Sequence, residues 1–231
     1  MLRKPPPAKK PRVAFPRESA KAKRERAATV VQHLRQAYPE AKCALEHDDP
    51  FQLLVATILS AQCTDVRVNM TTPALFKRYP TPRDLAAAKP EDVQAMIKPT
   101  GFFNNKTKSI QGAARTIELE FNGRVPDTMP ELLTLPGVAR KTANVVLGTA
   151  YGKNEGVVVD THVARIAKRL GLTKETDPTK IEQDLMALVP RAEWTIFAHT
   201  VIFHGRLCCY AIKPQCGRCP VSEMCPSAFK V

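Results

Sequence analysis

One stretch near the middle of the chain decides the fold: Leu135-Pro136-Gly137-Val138-Ala139-Arg140-Lys141-Thr142-Ala143-Asn144-Val145-Val146. Its pattern predicts the apolar end of a short helix, a tight turn at the Pro-Gly pair, and the beginning of a second helix. Backbone N–H groups at such a helix beginning have no partner within the helix, so they can hold a phosphate without reading a base sequence. Many helical hairpins contain a Pro-Gly turn for structural reasons alone, and the phosphate-binding interpretation therefore depends on the residues around it.

The rest of the chain has the pattern of short helices separated by Pro, Gly and Asx residues. Three pairs predict helix beginnings with an N-cap followed by proline, and residues 128–131 have the spacing of a capping box. The helix after the first pair is apolar nearly all round and is expected to be buried. The pairs are Asp49-Pro50, Thr81-Pro82 and Asp177-Pro178. The strand-like run 157–159 is too short to form a sheet alone, so the predicted fold class is all-α.

The charge of the chain favours a polyanionic partner. Its 231 residues contain 35 Lys and Arg against 22 Asp and Glu, a formal net charge of +13. Nucleic acid is the first expectation and anionic lipid the alternative. No stretch is long and apolar enough to cross a bilayer, and the N-terminus lacks the apolar segment of a secretion signal. We therefore expect an intracellular protein that has no membrane partner.

Residues 1–21 are predicted to be a disordered basic tail. The first 26 residues contain ten basic and two acidic side chains, and five prolines among the first 16 prevent a regular helix through most of this stretch. Such an arm can contact phosphates, and it can equally be a solubilising or targeting tail that has no role in DNA binding. The sequence leaves both alternatives open.

Cysteines near the C-terminus give the strongest chemical signal. The run Cys209-x6-Cys216-x2-Cys219-x5-Cys225 places four thiols close enough along the chain to surround one metal centre. Soft sulfur ligands suit an iron–sulfur cluster or zinc. Structural zinc sites usually contain two close cysteine pairs, whereas this run contains one, so the spacing favours a cluster. The spacing also selects Cys209 over its neighbour Cys208.

Lys141 and Asp160 are the candidate catalytic residues. Lys141 lies in the first turn of the predicted second helix, where the positive end of the helix dipole disfavours an ammonium ion and favours a neutral, nucleophilic amine. Asp160 precedes an amphipathic segment that ends at Gly171, so its carboxylate has the place of an N-cap. Capping alone is a sufficient explanation of Asp160, and a functional role is the alternative.

Together these motifs carry a family resemblance. Lys141–Val146 after the Leu-Pro-Gly turn, Val159-Asp-Thr-His162 and the 6-2-5 cysteine spacing resemble the endonuclease III family, the bifunctional DNA glycosylases and AP lyases of the helix-hairpin-helix superfamily. The resemblance extends upstream to Leu59–Asp65 and Gly101–Asn104 and covers nearly the whole chain from residue 22. Each motif alone is weak, but the combination is highly specific.

The resemblance implies two helical domains that flank a DNA-binding cleft. Residues 43–153 would form a six-helix barrel that contains the helix-hairpin-helix, and residues 22–42 together with 154–231 would form a domain that holds a [4Fe-4S] cluster on the four cysteines. The partner would be double-stranded DNA that contains damaged pyrimidines or abasic sites, bound by a monomer. The expected location is the cytoplasm of a prokaryote, in association with the nucleoid.

The same resemblance implies the reaction. Lys141 would attack C1′ of the sugar, displace the base and form a Schiff base that allows β-elimination of the 3′ phosphate. Asp160 would favour loss of the lysine proton and stabilise positive charge on the sugar. The damaged nucleotide would be flipped out of the duplex, and two side chains would fill the vacated space. These two are Gln62 and Phe102, and the other expected DNA-binding residues are Gly137, Ala139, Arg140, Thr142 and His162.

Two residues depart from the family pattern. Ala139 stands where the hairpin usually has a second glycine, and a positive φ there would strain an alanine. Phe102 replaces a common leucine, and ordinary core packing is the alternative for its side chain.

The related adenine glycosylases lack a lysine at the position of Lys141 and have an additional domain. Pyrimidine-dimer and thymine-mismatch glycosylases are further alternatives, and a non-catalytic DNA-binding protein with a zinc-stabilised tail is the rival from another class.

Overall fold

Residues 18–231 are described by a computed structural model in which every regular element is helical. The α-helices are α1 (Ala20–Ala37), α2 (Pro50–Leu59), α3 (Asp65–Arg78), α4 (Pro82–Ala87), α5 (Pro90–Ile97), α6 (Phe103–Glu120), α7 (Met129–Leu132), α8 (Arg140–Ala150), α9 (Thr161–Arg169), α10 (Pro178–Leu188) and α11 (Trp194–Leu207). The predicted all-α fold class is confirmed. None of these helices is long and apolar enough to cross a membrane.

Side-chain caps confirm three predicted helix beginnings. Asp49 and Asp177 each accept a hydrogen bond from the backbone N–H three residues later, at 2.8 and 3.1 Å. Thr81 forms a complete capping box at the beginning of α4. At α7 the expected box is absent, because Thr128 Oγ1 donates to Glu131 Oε2 at 2.5 Å and no side chain caps the backbone. The side-chain bond has replaced the cap.

Two hydrophobic clusters hold the helices together. The first contains buried residues from 45 to 147 and is built by α2 to α8. The second combines α1 with residues 157–221, which include α9, α10 and α11. Helix α2 is buried along almost its whole length, as its apolar sequence predicts. The N-terminal helix and the C-terminal part of the chain therefore share one core.

Helices α8 and α11 approach each other closely where the two clusters adjoin. A Cβ at Gly148 of α8 would lie 2.4 Å from Thr195 Oγ1 of α11, so the approach requires glycine. Thr195 Oγ1 in turn donates to Asn154 Oδ1 at 2.6 Å. This contact sets the separation of the two helices at one end of the cleft between them.

The boundary of the predicted tail needs a correction. Helix α1 begins at Ala20, and Ser19 Oγ accepts a hydrogen bond from Ala22 N at 3.1 Å. Glu18 forms an ion pair with Arg26 at 2.5 Å, and both side chains are largely buried. Residues 18–21 therefore belong to the folded part of the chain, because Ser19 caps α1 and Glu18 is paired with a residue of the same helix. The remainder of the predicted tail, residues 1–17, lies outside the described residues.

Candidate active site and cysteine cluster

The Pro-Gly turn places the beginning of α8. Gly137 has a φ of 78°, and a Cβ there would lie 2.5 Å from Ser109 Cβ, so this position requires glycine. Ala139 has φ −99° and ψ 169°, an extended conformation that any residue adopts. The alanine that departs from the family pattern is therefore accommodated without strain. Both residues are exposed, and no side chain within residues 18–231 caps α8, so its first N–H groups are available to a ligand.

Lys141 and Asp160 line one cleft between the two hydrophobic clusters. The cleft has a volume of about 120 Å³ and is bounded by α8 on one side and α11 on the other. Lys141 is exposed in the first turn of α8, and the next residue, Thr142, is half-buried. Asp160 is half-buried, and its Oδ1 accepts a hydrogen bond from Val163 N at 2.7 Å, the predicted cap of α9. One carboxylate thus caps a helix and lines the cleft.

An ion pair spans the cleft. Arg206, in the last turn of α11, donates through Nη2 to Asp65 Oδ2 at 2.5 Å, and Asp65 begins α3. Both side chains line the cleft with Lys141 and Asp160. Since α3 belongs to the first cluster and α11 to the second, the pair links the two walls.

Arg140 is engaged by an acidic residue that sequence reasoning did not identify. Its Nε donates to the two carboxylate oxygens of Glu182 at 3.1 and 2.9 Å, and Asn144 Nδ2 donates to Glu182 Oε1 at 2.9 Å. Glu182 is buried in α10, 42 residues from Arg140. No local pattern signals a partner so far along the chain. The expected contact of Arg140 with DNA stays a prediction, and the guanidinium already has a protein partner.

His162 is half-buried where α9 meets α11. Its Nδ1 accepts a hydrogen bond from Arg165 Nη2 at 3.2 Å, and a Cβ at Gly205 would lie 2.6 Å from the same nitrogen. Burial lowers the pKa of His162, and the nearby Asp160 carboxylate opposes this shift. The lowered pKa favours the neutral form of the ring. A neutral ring whose Nδ1 accepts can donate from Nε2, which gives it a hydrogen-bonding role and no charge.

Gln62 and Phe102 both have left-handed backbone conformations, with φ of 54° and 48°. Such conformations cost roughly 1–3 kcal/mol each in residues other than glycine and tend to occur at functional sites. Both side chains are exposed, and that of Phe102 is 63% exposed. The alternative of core packing is therefore wrong for Phe102, whereas its neighbour Phe103 packs against the first cluster.

The four predicted cysteine ligands line one cavity together with Cys208 and His204. All five of these cysteines are free thiols. Arg169 Nη1 donates to Cys209 Sγ at 3.3 Å, and Cys225 Sγ donates to Arg169 O at 3.4 Å. Cys219 Sγ lies 3.6 Å from His204 Nε2. Helix α9, through Arg169, and α11, through His204, thus form walls of this cavity.

The chemistry of these thiols fits a metal–sulfur cluster. Burial, together with a smaller contribution from the neighbouring cysteines, raises the pKa of Cys219 to about 12. Burial also raises the pKa of Cys225. Such a thiol becomes a ligand when a metal ion replaces its proton. The iron ions of an iron–sulfur cluster can do so. The ligand atoms of His204, Cys208 and Cys219 lie within 4.8 Å of one another, so proximity favours Cys208, whereas the spacing along the chain favours Cys209.

Comparison with known proteins identifies the family. Residues 55–191 match the model of the HhH-GPD superfamily base excision DNA repair proteins, and residues 209–225 match the iron–sulfur binding domain of endonuclease III. Endonuclease III of Synechocystis sp. is 56% identical over 207 residues, which cover 90% of this chain and 94% of that protein. Endonuclease III of Bacillus subtilis is 44% identical, covering 84% of this chain and 88% of that protein. The chain belongs to the endonuclease III family.

Solved structures of endonuclease III support this membership. A non-covalent endonuclease III–DNA complex and a trapped endonuclease III–DNA covalent intermediate are both 41% identical to the chain with TM-scores of 0.82, covering 87% of this chain and 94% and 95% of those chains. A thermostable thymine-DNA glycosylase, 22% identical with a TM-score of 0.79, shares the fold. As a member of the family, the chain is a base excision repair enzyme that binds DNA, a DNA glycosylase with AP lyase activity, and it carries a [4Fe-4S] cluster.

Proposed function

We propose that the chain removes damaged pyrimidines from double-stranded DNA and then cleaves the strand on the 3′ side of the abasic site, with Lys141 as nucleophile and Asp160 as its partner. The observation that carries this proposal is that both side chains line one cleft, although they belong to different helices. The first turn of α8 presents the exposed lysine to this cleft.

In the proposed reaction, the amine of Lys141 bonds to C1′ of the flipped nucleotide while the bond from C1′ to the base breaks. The base leaves with the bonding electrons and takes up a proton. Opening of the sugar ring gives a Schiff base between Nζ and C1′, and loss of a proton from C2′ expels the 3′ phosphate. Each step needs an amine held next to the sugar, which the position of Lys141 at the mouth of the cleft would provide.

Asp160 would serve this reaction through the carboxylate oxygen that the helix does not use. Val163 N holds Oδ1 at 2.7 Å and so orients the carboxylate. Oδ2 accepts no hydrogen bond from residues 18–231, so it is available to take the proton of Lys141 or to stabilise positive charge on the sugar. The cap and the catalytic role are therefore compatible.

The exposed turn and the beginning of α8 would hold the phosphate next to the lesion. Gly137 and Ala139 are exposed, which lets the backbone approach a ligand, and Thr142 follows in the first turn. Arg140 would keep its ion pair with Glu182 and offer Nη1, which takes no part in that pair. His162 would donate from Nε2 to an oxygen of the DNA.

Gln62 and Phe102 would fill the space that the flipped nucleotide leaves. Their exposure and left-handed backbones support this role, because no packing within the described residues explains an exposed phenylalanine in a strained turn. Gln62 offers hydrogen bonds to the opposite base, and Phe102 offers an apolar surface that stacks against a base step.

We assign Cys209, Cys216, Cys219 and Cys225 as the cluster ligands on their spacing and their shared cavity. When bound, the cluster would supply a rigid link that holds residues 209–225 against α9 and α11.

We further infer that residues 43–153 form the barrel domain and that residues 22–42 with 154–231 form the cluster domain. The membership of the two hydrophobic clusters supports this division. The active form would be a monomer that acts on the nucleoid in the cytoplasm of a bacterium, as the relatives named above are bacterial proteins.

Borohydride trapping on duplex DNA that contains thymine glycol tests the function. The wild-type protein should form a covalent complex, since a lysine that attacks C1′ passes through a reducible imine, and Lys141→Gln should form none. Lys174→Gln, which removes an exposed lysine outside the cleft, is the control and should trap like the wild type. Trapping at the wild-type level by Lys141→Gln would remove Lys141 from the role of nucleophile.

A further inference from the structure

Lys106 is a buried lysine that the proposed reaction does not use. The residue is 5% exposed in α6, and its Nζ donates to Leu59 O at 2.8 Å and to Thr100 O at 2.7 Å. No carboxylate among residues 18–231 forms an ion pair with it. Lysines are rarely fully buried without an ionic partner. The two carbonyl oxygens therefore indicate what this side chain does.

The two acceptors end the segments that lead into Gln62 and Phe102. Leu59 is the last residue of α2, shortly before Gln62. Thr100 is the last residue of the 3-10 helix Lys98–Thr100, shortly before Phe102. Carbonyl groups at the C-terminal end of a helix lack intrahelical partners and carry the negative end of the helix dipole, so they attract an ammonium group. One lysine thus joins two turns that come from distant parts of the sequence.

Both turns need support, because each contains an exposed residue in a left-handed conformation. Within the first turn, Cys63 N donates to Ser60 O at 3.0 Å; within the second, Gly101 N donates to Lys98 O at 3.2 Å. These hydrogen bonds close each turn but do not set one turn relative to the other. The bonds from Lys106 do so, since both acceptors share a single nitrogen.

We propose that Lys106 is a positioning residue that fixes the Gln62 turn and the Phe102 turn relative to each other, so that both side chains enter the duplex as one preorganised pair. This inference rests on the proposed function of Gln62 and Phe102. Fixed geometry matters because a displacement of about 1 Å can lower the rate of a catalysed reaction roughly hundredfold.

The variant Lys106→Met tests the proposal, because it keeps an unbranched apolar stem of nearly the same length and removes the charge and the donors. Single-turnover excision of thymine glycol from duplex DNA should fall about tenfold or more, whereas borohydride trapping on single-stranded abasic DNA should stay within about twofold of the wild type. The abasic single strand requires Lys141 but has no duplex gap to fill. Arg115→Met removes a charge from an exposed side chain of the same helix and should resemble the wild type in both assays.

A double-mutant cycle separates positioning from general damage. If Lys106 acts through Gln62 and Phe102, Lys106→Met should lower excision far less in the Gln62→Ala, Phe102→Ala background than in the wild type. A loss of equal size in the two backgrounds overturns the proposal, and so does a parallel loss of trapping. Absence of trapping by the wild-type protein itself would instead contradict the proposed function, so the two failures are distinguishable.

Lys106→Gln is the second variant, because its amide retains two N–H donors, which lie one atom closer to the backbone than Nζ. It should show a smaller excision defect than Lys106→Met, and this defect should also shrink in the background that lacks both side chains. If neither variant gives a cooperative thermal unfolding transition, Lys106 is required for folding and the positioning role is overturned.

Discussion

At the level of single residues, Asp160 combines a structural contact with a place in the cleft. Its Oδ1 accepts the hydrogen bond that begins α9, and its carboxylate faces the space that Lys141 also faces. An N-cap requires a side-chain oxygen but no charge, whereas stabilising a positive sugar requires a carboxylate. Removing the charge while keeping the oxygen therefore separates the two roles.

We expect Asp160→Asn to lower single-turnover excision by roughly a hundredfold or more, because general-base and electrostatic contributions are of this size. The free energy of unfolding should change by less than about 1 kcal/mol, since asparagine caps helices nearly as well as aspartate. Excision kinetics and thermal unfolding measure the two effects.

Asp177→Asn is the matched control for this prediction. Asp177 caps α10 with the same hydrogen-bond pattern, accepting from the backbone N–H three residues later, Lys180 N, at 3.1 Å, and it does not line the cleft. This variant should unfold like Asp160→Asn and excise like the wild type. Equal losses of stability and activity in Asp160→Asn would favour a capping role alone.

At the level of elements, the cysteine segment after α11 contains two adjacent thiols that line the same cavity. Cys208 is buried, and its Sγ donates to Gln215 O at 3.5 Å. Cys209 is half-buried and accepts a hydrogen bond from Arg169. Hydrogen bonds from cationic donors to sulfur stabilise thiolate ligands. The contact with Arg169 therefore agrees with the spacing argument for Cys209.

We expect Cys209→Ala to lose the cluster and Cys208→Ala to retain it. The two variants are each other's control, because they remove the same thiol from neighbouring positions. Visible absorbance and the iron content per chain of the purified proteins measure the outcome. Loss of iron from Cys208→Ala together with retention in Cys209→Ala would exchange the two assignments.

At the level of the whole molecule, the two hydrophobic clusters meet through α8 and α11, and the cleft lies between these helices. Gly148 permits their approach, because a Cβ at this position would lie 2.4 Å from Thr195 Oγ1 and 3.0 Å from Thr195 Cγ2. A methyl group at position 148 must therefore displace Thr195 or the helix that carries it.

We expect Gly148→Ala to lower the free energy of unfolding by about 1–3 kcal/mol, the usual effect of overpacking. Thr195→Ala removes both clashing atoms, so the double variant should be less destabilised than the sum of the single variants. Chemical denaturation of the four proteins measures this coupling. Additive effects would show that Thr195 does not limit the approach of the helices.

The sequence by itself determined the helices, the turn and the ligand spacing of this protein. The caps at Asp49, Thr81 and Asp177 form as predicted, and Gly137 has the positive φ that the Pro-Gly turn requires. These features depend on residues within about one helical turn of each other, where local hydrogen bonds and steric exclusion act. The motif combination also identified the family, which comparison confirms.

The tertiary structure alone decided which distant groups meet. Glu182 pairs with Arg140 across 42 residues, and Lys106 reaches Leu59 across 47 residues. The conformation of Ala139 and the exposure of Phe102 also required the structure, since both depend on how the hairpin and the turn pack. Such contacts arise from burial, which penalises every unpaired polar group wherever its partner lies along the chain. A local sequence pattern does not indicate which distant residue becomes that partner, so only the folded chain reveals it.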